Sequence, residues 1–258
     1  MESVQQPDTD LALGQVSSPS VIADAKGLVT QLQVAPEKMQ AQLVQEIAAL
    51  GEAGLLELVE FLRQRLAGSG NRTEAKPEKV DLLAGKVYQT LVQSGSTAVG
   101  DALNLHFPQG IVPLCSDLGI DYAPLQRLLA AQHFQSADQM TLQKLCELAG
   151  TDAVQRKWIY FTEVKQLPIV DLQTINLLWL THSEGKFGFS VQRELWLGVG
   201  QNWEKLWSKI GWKNGNNWTR YPQEFTWDLT APRGHLPLSN QLRGVQVIAA
   251  LMAHPAWS

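Results

Sequence analysis

Cysteine is scarce in this sequence. Its 258 residues hold two, Cys115 and Cys146, and no CxxC pair. The usual signature of a structural zinc site or a redox dithiol is therefore missing, and two reduced thiols are the expectation. Long apolar runs are missing too. The longest stretch, 175–180, is interrupted by Asn176, whereas crossing a bilayer takes about 20 apolar residues. The opening MESVQQPDTDLALG is acidic, unlike a secretory leader or an Arg-rich transit peptide, so a soluble intracellular protein is expected. There is no GxxxxGK[ST], HExxH, GxSxG or kinase motif set, which takes away the common signatures of phosphate-loop, zinc-protease and serine-hydrolase chemistry. The nearest glycine-rich string, GVGQNW at 198–203, puts Trp203 where a dinucleotide loop needs its third glycine. The five histidines, at 106, 133, 182, 235 and 254, show no ligand spacing. A net charge of −4 argues against an overall basic nucleic-acid binder.

Aromatic residues are nearly absent from the first 110 positions, where only Phe61, Tyr88 and Phe107 occur. The remainder holds seventeen, including all nine tryptophans, which lie between Trp158 and Trp257. Charge divides in the same place. Residues 1–110 carry 8 basic and 13 acidic side chains, and residues 186–258 carry 8 basic and 4 acidic. Two units are implied: a flexible tail over 1–20 and a helical bundle over 21–110, then a second domain over 111–258.

Apolar spacing predicts helices almost throughout. In the first unit, Leu43, Ile47 and Leu50 share one helix face, and Leu55, Val59, Leu62 and Leu66 share another. Pro36 suits a helix start and Gly51 a stop. GSGNRTEAKPEK, 68–79, reads as a linker. Short antiparallel helices of this kind suggest a bundle resembling HEAT repeats. In the second unit helices are predicted over 122–131, 136–149, 154–164, 172–181, 191–197, 203–210 and 238–253. No alternating strand pattern appears, so the fold class is all-α. Residues 212–235 lack periodicity, and a loop of that length in a domain is usually functional.

That loop, with Trp212, Trp218, Arg220, Tyr221, Phe225 and Trp227, is the main candidate for function. Aromatic faces beside arginines can hold a flat, apolar, anionic ligand, or single-stranded nucleic acid. The competing explanation is a tryptophan-rich core with solvated arginines. A rival of another class is an enzyme using His235 or Glu163 for proton transfer. Glu163 and Asp171 flank a turn, where helix capping is the plainer role.

Several strings are distinctive: DYAPLQ (121–126), KLCELAG (144–150), WIYFTEV (158–164), DLQTIN (171–176), FGFSVQRELWL (187–197), LWSKIGW (206–212), FTWDL (225–229), APRGHLPLSNQLRG (231–244) and HPAW (254–257). Together they resemble the genomes-uncoupled-four family across about 115–258, with a looser likeness in the N-terminal region to members from photosynthetic bacteria. The resemblance implies an all-helical, cupped-hand core behind the helical bundle. It implies binding of protoporphyrin IX and Mg-protoporphyrin IX and stimulation of magnesium chelatase in chlorophyll synthesis, without catalysis by the chain itself or an obligatory cofactor or metal. The implied partner is the porphyrin-binding H subunit of that chelatase. A docking module without pigment of its own is the alternative. The implied site comprises Phe161 and Val164 on an apolar wall, Trp218, Arg220 and Tyr221 in the loop, and Asn240, Arg243 and Gln246 near the last helix. Tyr221 stands where some members have Trp, and Gln246 where some have a second arginine. The expected setting is the cytoplasm of a photosynthetic bacterium, as a monomer, with peripheral membrane contact left open.

Overall fold

The computed structural model describes residues 19–67, 80–238 and 245–257. The tail expected over 1–20 falls almost wholly outside these residues, and so does the 68–79 linker. Five helices come first: α1 (Pro19–Val34), α2 (Glu37–Ala48), α3 (Glu52–Ala67), α4 (Leu82–Gln93) and α5 (Thr97–His106). Their starts follow local chemistry. The Asp81 carboxylate accepts the Ala84 N–H at 2.9 Å and the Ser96 hydroxyl accepts that of Val99, satisfying donors that a helix start leaves free. Helix α3 packs on α1, α2, α4 and α5, with Leu58, Phe61 and Leu62 buried between them.

The second group contains α6 (Ala123–Ala130), α7 (Phe134–Ala149), α8 (Thr151–Arg156), α9 (Phe161–Val164), α10 (Ile169–Thr181), α11 (Phe189–Gly198), α12 (Trp203–Lys209) and α13 (Gln246–Met252), closed by a 3₁₀ turn at Pro255–Trp257. Helix α10 runs through the interior. Leu172, Ile175, Leu178 and Trp179 are fully buried, and so is Asp171. The Asp171 carboxylate takes hydrogen bonds from the Ser116 hydroxyl, the Asp117 N–H (2.9 Å) and the Tyr122 hydroxyl (2.7 Å). It thereby pins the segment joining the two groups of helices. The two groups also meet where α4 packs on α6 and α10. A Cβ at Gly85 would collide with the Thr181 carbonyl, so only glycine permits this approach.

Three local expectations change. The helix expected over 154–164 is two helices. Lys157 turns left-handed at φ 63° and ends α8. The Arg156 guanidinium then sits over the rings of Trp158 and Tyr160, at 5.1 and 4.6 Å. The last helix, expected over 238–253, is described only as α13. Leu238 is not helical, and its N–H donates to Asp138 at 2.6 Å. The long loop opens with a small antiparallel hairpin, β1 (Lys213–Asn214) on β2 (Asn217–Trp218). Gly215, with φ 58°, is the first residue of its two-residue turn, a position that favours glycine. Two residues per strand leave too short an alternation to read from sequence.

Replacing Asp171 with alanine leaves buried donors without an acceptor. We expect a loss of about 3 kcal/mol or more in unfolding free energy, measured by urea denaturation.

Candidate functional site

Tryptophans form a column beneath the long loop. Trp196, Trp203, Trp207 and Trp212 stack in sequence, with centroids 4.8, 5.3 and 5.4 Å apart and ring planes 25°, 21° and 4° from parallel. The i, i+4 spacing of Trp203 and Trp207 puts both on one face of α12. Trp218, on β2, closes on Trp207 at 5.9 Å. Lys213 reaches over the Trp218 ring while pairing with Glu204. The outer part of the loop has its own cluster. Tyr221 meets Phe225 and Trp227 edge-on at 6.1 and 5.8 Å, and Trp227 Nε1–H donates to the Pro222 carbonyl.

Backbone hydrogen bonds from side chains hold this irregular segment in place. Gln192 Nε2–H donates to the carbonyls of Gly234 and Pro237, at 3.0 and 2.8 Å. Trp212 Nε1–H donates to the His235 carbonyl at 2.8 Å. The buried His235 ring joins three strands of chain. Its Nδ1 lies 2.6 Å from the Ile210 carbonyl, its Nε2 accepts the Thr226 N–H, and its face packs on Phe225. Burial lowers its pKa despite the Ile210 contact. Both nitrogens are in use, so His235 organises the loop and is not placed for proton transfer. The other enzymatic candidate is equally engaged. The Glu163 carboxylate accepts two bonds from Arg156, at 2.7 and 2.8 Å, and the Tyr160 N–H at 2.7 Å. Desolvation raises its pKa, but these bonds outweigh that and hold it below the ordinary value.

Surface exposure separates the predicted site residues. Among the described residues, four aromatic side chains are largely exposed: Tyr160 (46%) and Phe161 (37%) at α9, and Trp218 (43%) and Tyr221 (40%) in the loop. Val164 is fully buried, so it supports the wall from beneath instead of lining its surface. The Arg220 side chain is 85% exposed and pairs with Glu224 at 3.9 Å, and the Glu224 carboxylate also accepts the Arg220 N–H at 2.9 Å. Gln246 is exposed at the start of α13, the helix on which α9 packs. Asn240 and Arg243 lie outside the described residues. Helix α7 packs on α8, and its Asp138 accepts the Leu238 N–H just beyond the loop.

Sequence reasoning missed Asp138. This buried residue of α7 ties down Leu238. Burial pushes its pKa up to about 7 against the pull of the Leu238 N–H. Only an isolated buried carboxylate would have signalled it, and sequence does not report burial. No cluster of three His, Cys, Asp or Glu side chains suited to a metal occurs among the described residues.

Exposed aromatic rings at α9 and in the loop, with Arg220 between two of the latter, are features that a flat apolar ligand can use. Comparison with known proteins supplies the family. Residues 115–255 match the family described as GUN4-like, and residues 16–108 match the ARM-like repeat domain of the GUN4 N terminus. The chain belongs to the GUN4-like family. A Ycf53-like protein of Synechocystis is 51% identical over 231 residues, which is 90% of this chain and 95% of that protein. The chloroplastic tetrapyrrole-binding protein of Arabidopsis thaliana is 39% identical over 143 residues, 52% of this chain and 54% of its own length. The structure of GUN4 from Chlamydomonas reinhardtii superposes with a TM-score of 0.53 at 44% identity, covering 57% of this chain and 97% of that one. Ligand-free Arabidopsis GUN4 gives 0.51 at 39%, covering 54% and 99%.

Asp138 yields a pH prediction. An unfolded aspartate loses its proton near pH 4, but the folded one holds it to about 7. Between these values the folded state carries the extra proton, so this group lowers stability as pH rises and adds no further change above that range. Relative to wild type, Asp138→Asn should gain stability from about pH 4 to 7 and then level off, by at most about 1.4 kcal/mol per pH unit. Denaturation of both proteins at several pH values checks this, and the difference cancels the contribution of His182. That buried histidine titrates down at about 3 and makes stability rise with pH in both proteins.

Proposed function

We propose that this chain binds protoporphyrin IX and Mg-protoporphyrin IX on the open face made by α9 and the long loop, and stimulates magnesium chelatase by exchanging pigment with its H subunit. One observation carries this reading: the four exposed aromatics all fall in the two segments that also hold predicted site residues, and the exposed Arg220 stands between two of them in the loop. Exposed apolar surface that is clustered, unlike scattered single residues, marks an interaction site.

A porphyrin is a flat apolar disc with two carboxylates on one edge. Phe161, Trp218 and Tyr221 offer ring faces, with Val164 packed behind. Arg220 offers a planar fork suited to a carboxylate. Asn240, Arg243 and Gln246 complete the proposed polar rim. Burying roughly 400 Å² of apolar surface at about 25 cal/mol/Å² contributes on the order of 10 kcal/mol before ordering losses. An exposed arginine–carboxylate pair adds only about 0–1 kcal/mol. The apolar wall therefore sets affinity and the arginines set orientation. Macrocycle recognition of this kind needs no axial ligand, so the porphyrin with or without magnesium suits the same face. An open face also allows handover to a partner, which a sealed cavity would hinder. Among the described residues no helix is long and apolar enough to cross a membrane. We read the protein as a monomer of a photosynthetic bacterium's cytoplasm that meets membranes peripherally at most.

The test is a titration with protoporphyrin IX, following the pigment's absorption band and tryptophan quenching. We expect one saturable site with micromolar or tighter affinity. Phe161→Ala should weaken it about tenfold or more, as expected when over 1 kcal/mol of ring burial is removed. Arg220→Ala should weaken it no more than about fivefold and shift the bound spectrum. Unchanged affinity in both variants would place the site elsewhere. Tight chelatase binding without pigment binding would make this member a docking module.

A further inference from the structure

The turn between α10 and α11 touches both the N-terminal helices and the long loop. On one side it meets α4. Gly85 lies against the Thr181 carbonyl, and Leu82 covers Gly185. Gln89 Nε2–H donates to the His182 carbonyl, and Lys86 pairs with Glu184 at 2.8 Å. On the other side it holds the loop. Lys186 Nζ–H donates to the Leu229 carbonyl, the Gly234 N–H donates to Lys186 at 2.9 Å, and the Gly188 N–H donates to Leu236 at 3.0 Å. Leu229 stands two residues beyond Trp227, which packs on Tyr221. The N-terminal helices thus lie four short steps from an exposed ring of the proposed pigment face. The turn is rigid at its centre: Phe187 is fully buried, its N–H donates to the Ser183 hydroxyl at 2.8 Å, and its ring packs on Phe134 at 5.6 Å.

We propose that the N-terminal helical domain regulates pigment affinity by setting the position of this turn, with Lys186 as the positioning residue that passes the setting to the long loop. The proposal rests on the pigment-binding reading above. A partner that seats on the N-terminal domain and shifts α4 against Thr181 changes how firmly Leu229 and Leu236 are held. Pigment bound at the loop acts back on the domain by the same factor, because coupling between binding sites is reciprocal. Coupling is a free energy between the two sites, and the test measures it directly.

Full-length wild type, Gly85→Ala, Lys186→Met and the double variant are compared by two measurements. Amide exchange at Gly188 and Gly234, read by NMR without pigment, reports the hold on the loop. Protoporphyrin IX titration reports affinity. We expect Gly85→Ala to speed exchange at both amides and to weaken affinity about fivefold, within the usual range for coupled sites. We expect the double variant to be weaker than Lys186→Met alone by less than the full effect of Gly85→Ala, since the Lys186 side-chain bond to Leu229 is gone while the backbone bonds at Gly188 and Gly234 remain. Gln89→Met, which removes the bond to His182 with little change of volume, should act in the same direction and serves if Gly85→Ala does not fold. A folded variant with a lowered melting temperature but unchanged exchange at both glycines overturns the proposal. So does weakening that simply adds in the double variant, or faster exchange with unchanged affinity. If wild type binds no pigment at all, the functional reading fails and the regulatory claim falls with it. The exchange data then show separately whether the mechanical link exists.

Discussion

Helix α10 has almost no solvent face. A helix buried on this scale must pair every polar group it carries, since an unpaired buried donor or acceptor costs about 1–3 kcal/mol. Its polar residues are therefore the points where other segments attach. Asp171 gathers Ser116, Asp117 and Tyr122; the Thr174 hydroxyl donates to the Cys115 carbonyl at 2.8 Å; and Asn176 accepts the Ser190 N–H at 2.9 Å, starting α11. At its end, the Thr181 carbonyl meets Gly85 of α4. The connecting segment, the loop-bearing half and the N-terminal helices all take their positions from this one element.

The long loop is the opposite case. It has little regular structure, and its own backbone turns are supplemented by side chains that reach it from outside: Gln192 from α11, Lys186 from the preceding turn, and Asp138 from α7. The stacked tryptophans pack beneath it, with Trp207 and Trp212 buried. With the backbone held from below, the side chains of Trp218, Arg220 and Tyr221 reach solvent.

Much of this was legible in the sequence, for definable reasons. Helices such as α2, α3 and α10 announced themselves by spacing and by Pro36, Gly51 and Pro168 at their boundaries. The break at Lys157 was not legible, because it depends on Arg156 folding over Trp158 and Tyr160 and reaching Glu163. The hairpin at Gly215 was too short to show a period. His235 looked available for chemistry because sequence does not reveal that Ile210 and Thr226 use both its nitrogens. Val164 and Phe161 share one motif, yet one faces the core and the other solvent.

Residue order alone was enough to show that the protein is helical, that its aromatic residues gather in the C-terminal half, and which family its motifs resemble. These properties are local, set by residue type, spacing and composition. Only the tertiary structure decided which aromatics became floor and which became face, which charged groups were consumed in holding the chain, and how the N-terminal helices meet the loop. Those outcomes depend on residues far apart in sequence, as Asp138 and Leu238 or Gln89 and His182 show. Burial and pairing between such residues exist only once the chain has packed.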